Sequence, residues 1–156
     1  MGFTGDPERD AKVWLKAIHG LFEPFLEFCY PQIHSRVDWS VAPKFLDPKI
    51  KTSRVPAVPT ENKVLAELRS KKGEELIVHV AIATEESQHF ARDMYYYDTD
   101  LKEAFPGKEV LSVAFLADGN PNWLPNSYQV EVKGSAPKAG SKNFRMPGSR
   151  GIRPRP

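Results

Sequence analysis

Hydrophobic and polar positions divide this chain into stretches of two periods, one near 3.6 residues and one of 2. Apolar residues recur at Val13, Trp14, Ala17, Ile18, Leu21, Phe22, Phe25, Leu26 and Cys29, the spacing of one helical face. Asp6 followed by Pro7 supplies an N-cap and a proline at the first helical position. Pro24 interrupts the stripe, so the pattern predicts a kink, or two helices meeting near Gly20–Glu23, with Pro31 ending the element. Residues 32–60 contain Pro43, Pro48, Pro56 and Pro59, which argue against long regular elements. Here the expectation is a loop that packs Trp39 and Phe45 inward, with room for a short strand at Lys51–Val55.

The period then changes to 2. In Lys63–Leu68 the residues Val64, Ala66 and Leu68 share one face, and Arg69–Gly73 reads as the loop of a hairpin. The returning strand, Glu75–Ala83, contains the near-continuous apolar run Leu76–Ala83. A run that short and β-branched reads as a strand buried on both faces, around which the rest is arranged. Ser87–Phe105 follows as a helix with Ser87 as its N-cap and Phe90, Met94, Tyr97 and Leu101 as its apolar stripe. Pro106-Gly107 stops it. Val110–Ala117 is a second buried strand, 118–122 has turn chemistry, and Tyr128–Val132 alternates as a final edge strand.

Composition adds a division that the periodicity does not show. From Lys133 onward there are seven basic residues and no acidic ones. Removing those seven from the 22 Lys and Arg leaves 15 against 20 Asp and Glu, so residues 1–132 carry about −5. The expectation is an α/β domain over 1–132 and a basic Gly/Ser/Pro-rich tail over 133–156, disordered alone because it has too little apolar surface to offset chain entropy. In that tail Lys138, Lys142, Arg145, Arg150, Arg153 and Arg155 are the candidate nucleic-acid contacts, through salt-dependent and sequence-blind phosphate binding. Docking on an acidic protein surface and a purely solubilising role are the alternatives. The single cysteine, Cys29, rules out an internal disulfide and reads as a small buried apolar side chain. The N-terminus lacks a signal-peptide core and no apolar run approaches ~18 residues, which predicts a cytoplasmic protein with no membrane segment.

Several stretches carry a more particular pattern. They are Phe25-Leu26-Glu27-Phe28 with Tyr30-Pro31-Gln32-Ile33-His34, then Val37-Asp38-Trp39-Ser40 and Phe45-Leu46-Asp47. Further on come Leu76-Ile77-Val78-His79-Val80, Phe90-Ala91-Arg92-Asp93-Met94-Tyr95 and Leu116–Trp123. In serial order, from about residue 10 to 132, these blocks resemble the Rpn-like family of transposases and recombination-promoting nucleases, within the PD-(D/E)XK nuclease superfamily. The resemblance implies a mixed central sheet flanked by helices. It also implies a Mg²⁺ site built from an acidic residue on the first strand of the central pair, with a Glu and then Gln or Lys two positions later on the second. Two such carboxylates hold the metal, and the third residue, one side-chain period along the same face, positions the attacking water.

The matching positions here are Asn62, Ala81 and Ala83. Alanine can neither coordinate a metal nor move a proton, so the implied catalytic pattern is lost. Glu61, Glu85 and Asp47 are the candidate substitutes, although strand alternation turns Glu61 away from the face of position 62, and Glu85 lies two positions beyond Ala83. The sequence thus reads as a catalytically inactive nuclease-fold protein that binds nucleic acid or supports a partner that processes it. The alternatives are a protein-interaction or structural subunit, and a metal-dependent nuclease with relocated carboxylates, the only reading that needs Mg²⁺ as cofactor.

Other chemistry is thin. The four histidines have no paired metal-ligand spacing, and His79 reads as a hydrogen-bonded core histidine. Asp38 and Asp47 are either neighbours of a metal site or turn formers, Asp47 being the residue before Pro48. Tyr95-Tyr96-Tyr97 offers either a base-stacking surface or, at helical spacing, core packing.

Overall fold

In the computed structural model the described residues are 6–50, 58–117, 127–131 and 141–145. Helix α1 runs over Pro7–Gly20 and α2 over Phe22–Cys29. The Asp6 carboxylate accepts from the Glu8 and Arg9 amides at 3.1 and 3.5 Å, the expected cap. The two helices meet at Leu21, so the tertiary solution is the two-helix one. Pro24 falls in the first turn of α2, where its missing N–H would have had no intrahelical partner. A single-turn helix α3, Pro31–His34, follows.

Four strands then form one sheet in the order β1-β2-β3-β4. Strand β1 is Lys44–Leu46, β2 Lys63–Arg69, β3 Glu75–Ala83 and β4 Glu109–Leu116. β1 runs antiparallel to β2, and β2 antiparallel to β3. β4 runs parallel to β3, which requires a crossover, and helix α4, Phe90–Ala104, supplies it. The β2–β3 loop is closed by Ser70, whose hydroxyl oxygen accepts from the Lys72 and Glu74 amides at 3.2 and 3.0 Å. Gly73 sits there at φ +86°, a conformation that favours glycine.

Side-chain alternation splits the sheet into two apolar faces. Val64, Ala66, Val78, Val80 and Phe115 pack with Ile18, Phe22, Leu26 and Val37 from the α1–α3 side. Leu65 and Ile77 pack with Tyr97 and Leu101 of α4, and Ala81, Ala83, Ala114 and Leu116 pack with Met94 of the same helix. β3 is buried along its length from Leu76 to Ala83, as a strand covered on both faces must be. The result is a three-layer α/β arrangement with β3 at its centre.

Four expectations need correction. Phe45 lies on β1 rather than in a loop and is 40% exposed, with its ring edge-on to Phe22 and His19; Trp39 is the residue that packs inward. At the edge of a sheet, pairing can recruit a segment too short to show a periodic pattern. α4 begins at Phe90, not Ser87, because the Ser87 hydroxyl accepts from the His89 amide at 3.1 Å and forms a local turn instead of a cap. Glu85 and Glu86 are therefore exposed residues ahead of that turn.

The predicted final edge strand is β5, Ser127–Glu131, but it belongs to a separate two-stranded sheet. Its partner, β6 at Ser141–Arg145, lies in the tail expected to be without structure. Backbone pairing needs no apolar side chains, so an open strand edge can order a polar segment. The strand considered at 51–55, the turn at 118–122 and the rest of the tail lie outside the described residues.

Candidate functional site

β2 begins where the chain turns at Glu61–Asn62. Asn62 has φ +62°, a left-handed conformation that asparagine tolerates better than most residues, and its carbonyl accepts from the Ile82 amide at 2.9 Å. The next residue, Lys63, pairs directly with Ala81 of β3. Having the parity of Leu65, Lys63 points to the α4 face and is only 8% exposed. Its ammonium stands 4.7 Å from the centroid of the Tyr97 ring, within cation–π range. Burial pushes its pKa down to about 8, against the opposing pull of Asp93 and Glu61.

Glu61, Asn62, Lys63, Ala81 and Asp93 line a cleft of about 120 Å³ between the start of β2, the end of β3 and the first turns of α4. Lys63, Asn62, Glu61 and Asp93 are its polar residues, and Ala81, Phe90 and Met94 lie on its apolar side. Asp93 also meets the Arg92 guanidinium at 3.3 Å.

A buried polar chain lies beside this cleft on the same face of the sheet. His79, two positions before Ala81, is fully buried, with its ring centroid 4.5 Å from that of Tyr97. Ser112 of β4 donates its hydroxyl proton to Asp98 at 2.9 Å, and Asp98 is paired with Lys102 at 2.8 Å. Since the serine proton is committed, the 3.3 Å contact between His79 Nδ1 and Ser112 Oγ assigns the imidazole proton to Nδ1. Nε2 is then a buried acceptor, and it has no hydrogen-bond partner among the described residues. Burial, reinforced by Lys63, holds the His79 pKa well below its ordinary value, so the ring is neutral.

The structure brings only part of the expected set together. Asn62 and Ala81 line the cleft, and so does Glu61. Ala83 packs in the apolar cluster with Met94 and Leu116. Glu85 is exposed, two residues past the end of β3. Asp47 follows β1, where its carboxylate accepts from the Lys49 amide at 2.9 Å, the turn-forming role. Asp38 likewise accepts from the Ser40 amide and hydroxyl at 3.0 and 2.6 Å, and the Ser40 hydrogen bonds hold its pKa below the usual value. Among the described residues no group of three His, Cys, Asp or Glu could hold a metal ion. Glu61 and Asp93 both line the cleft, and the electrostatic pull of their carboxylates falls on the Lys63 ammonium.

Of the tyrosine run, Tyr97 is in the core, with its hydroxyl donating to the Pro48 carbonyl at 2.6 Å. Lys142 and Arg145 lie on β6, while Lys138, Arg150, Arg153 and Arg155 lie outside the described residues. Lys63 and Asp93 are the site residues that sequence reasoning missed. Lys63 could have been found from its parity with Leu65, which places a cation on a buried face. Among the described residues no helix is long and apolar enough to cross a membrane. The chain matches no protein-family model, no curated protein and no solved structure.

Proposed function

We propose that this chain is a PD-(D/E)XK-like domain without hydrolytic activity that binds nucleic acid through phosphate contacts or supports a partner that processes it. One observation carries the reading: at the start of β2 and the end of β3, where that family needs paired carboxylates, the cleft is lined by Asn62 and Ala81, with Lys63 paired to Ala81. The order of helix, three antiparallel strands, crossover helix and parallel strand is consistent with the superfamily's architecture. Phosphate contact is supported by the seven cations after residue 132 with no acidic residue among them.

The test is incubation of the full chain with plasmid and single-stranded DNA in Mg²⁺ or Mn²⁺, following cleavage and gel shift together. Binding without cleavage, weakening linearly in log salt, is the expected result. Cleavage that EDTA abolishes would overturn it and return attention to Glu61 and Glu85. A second reading, a protein-contact subunit, is favoured by the exposure of Phe28 (83%) and Leu21 (62%) around α2. It predicts no shift of either DNA at low salt.

A further inference from the structure

We propose that the cleft at the start of β2 is a covalent binding site for a small uncharged carbonyl compound, with the Lys63 amine as the nucleophile. The geometry supplies three requirements. First, Lys63 is a buried lysine that lines an open cleft instead of being sealed in the core. Second, the cleft has an apolar side formed by Ala81, Phe90 and Met94. Its volume of about 120 Å³ is comparable with the ~150 Å³ apolar cavities that accept benzene. Third, the Asp93 and Glu61 carboxylates flank the amine. They disfavour carboxylate and phosphate ligands and can exchange protons with the reacting nitrogen and oxygen.

Desolvation is a recognised way to raise the share of free amine in a lysine, and the lowered pKa of Lys63 agrees with the geometry. The titratable groups around it are Asp93 and Tyr97 from α4, Glu61 from the preceding turn and His79 from β3.

The step is an imine condensation. The amine lone pair forms a C–N bond to the carbonyl carbon, and the carbonyl π electrons move to oxygen, which takes up a proton. The nitrogen then loses its protons as the hydroxyl departs as water, leaving a C=N bond. One amine and one aldehyde give one imine and one water, with no oxidant or reductant consumed. This inference is independent of the nucleic-acid reading, and its test uses no DNA.

The test is incubation of the full chain with butanal and sodium cyanoborohydride, which traps the imine as a stable secondary amine, followed by peptide mapping by mass spectrometry. The expected result is labelling of Lys63 faster than the exposed lysines by on the order of tenfold. That preference should vanish when the protein is first unfolded in urea. Lys63→Arg keeps the charge and removes the nucleophile, so the fast adduct should disappear. Ala81→Leu fills the cleft while leaving the amine in place, and should slow Lys63 labelling to the rate of the exposed lysines, which keeps the proposal testable if Lys63→Arg fails to fold. Labelling spread evenly over the lysines of the folded protein would overturn the site, as would unchanged Lys63 labelling in folded Ala81→Leu.

Discussion

Ser112 of β4 donates its hydroxyl proton to Asp98 of α4 at 2.9 Å, a bond that ties the crossover helix to the strand it leads into. Both residues are buried, at 1% and 6% exposure. A buried donor left without an acceptor costs more than the bond contributes in net terms. Asp98→Ala should therefore destabilise the fold by about 1–3 kcal/mol in urea unfolding, and Asp98→Asn, which keeps an acceptor oxygen, should recover part of that loss.

His79 makes stability depend on pH on the acid side. Its folded pKa lies well below the ordinary histidine value of 6.5, so below 6.5 the unfolded chain binds a proton that the folded chain refuses. Stability contributed by the neutral ring is present above pH 6.5 and is lost as pH falls below it. Between pH 7 and 5, His79→Leu should lose less stability than the parent. Parallel slopes in the two proteins would show that His79 accepts its proton in the folded state.

Lys63 acts on the alkaline side. Its folded pKa is about 8 against 10.5 for an ordinary lysine. Between those values the unfolded chain holds more protons, so stability rises as pH increases from 8 to 10.5, and the penalty is present in full below 8. Replacing the ammonium with a thioether of similar length removes a buried charge. Lys63→Met should raise stability at pH 7 by about 1–3 kcal/mol, partly offset by the lost cation–π contact with Tyr97, and should flatten the alkaline rise. A lower stability at pH 7 would mean that the ammonium is well solvated through the cleft.

The Arg36–Glu109 pair offers the opposite case. It is bidentate, at 2.6 and 3.0 Å, and joins the loop after α3 to the start of β4. Both side chains are more than 40% exposed, and exposed pairs contribute little. Glu109→Gln should cost less than ~1 kcal/mol, and that cost should shrink in high salt.

Much of the fold could be read from residue periodicity. The α1–α2 stripe, the β2–β3 hairpin, the buried run of β3 and the strand β4 depend on local alternation and on apolar burial, and both are written in the order of the residues. β1 and β6 could not be read in this way. Each is a short segment whose strand character comes from the edge it pairs with, β2 or β5, and no local period announces a partner that is distant in sequence. The start of α4 is not legible in the sequence, because a serine hydroxyl can close a turn as readily as it can cap a helix.

For the site, residue identity alone settles that alanines at 81 and 83 cannot hold a metal, whatever surrounds them. What stands beside them follows from contacts between distant parts of the chain. Cross-strand register set Lys63 opposite Ala81, and the packing of α4 brought Asp93 and Tyr97 to the same amine. The charge state of a lysine depends on the solvent removed from around it, and that removal is accomplished by residues tens of positions away in the chain.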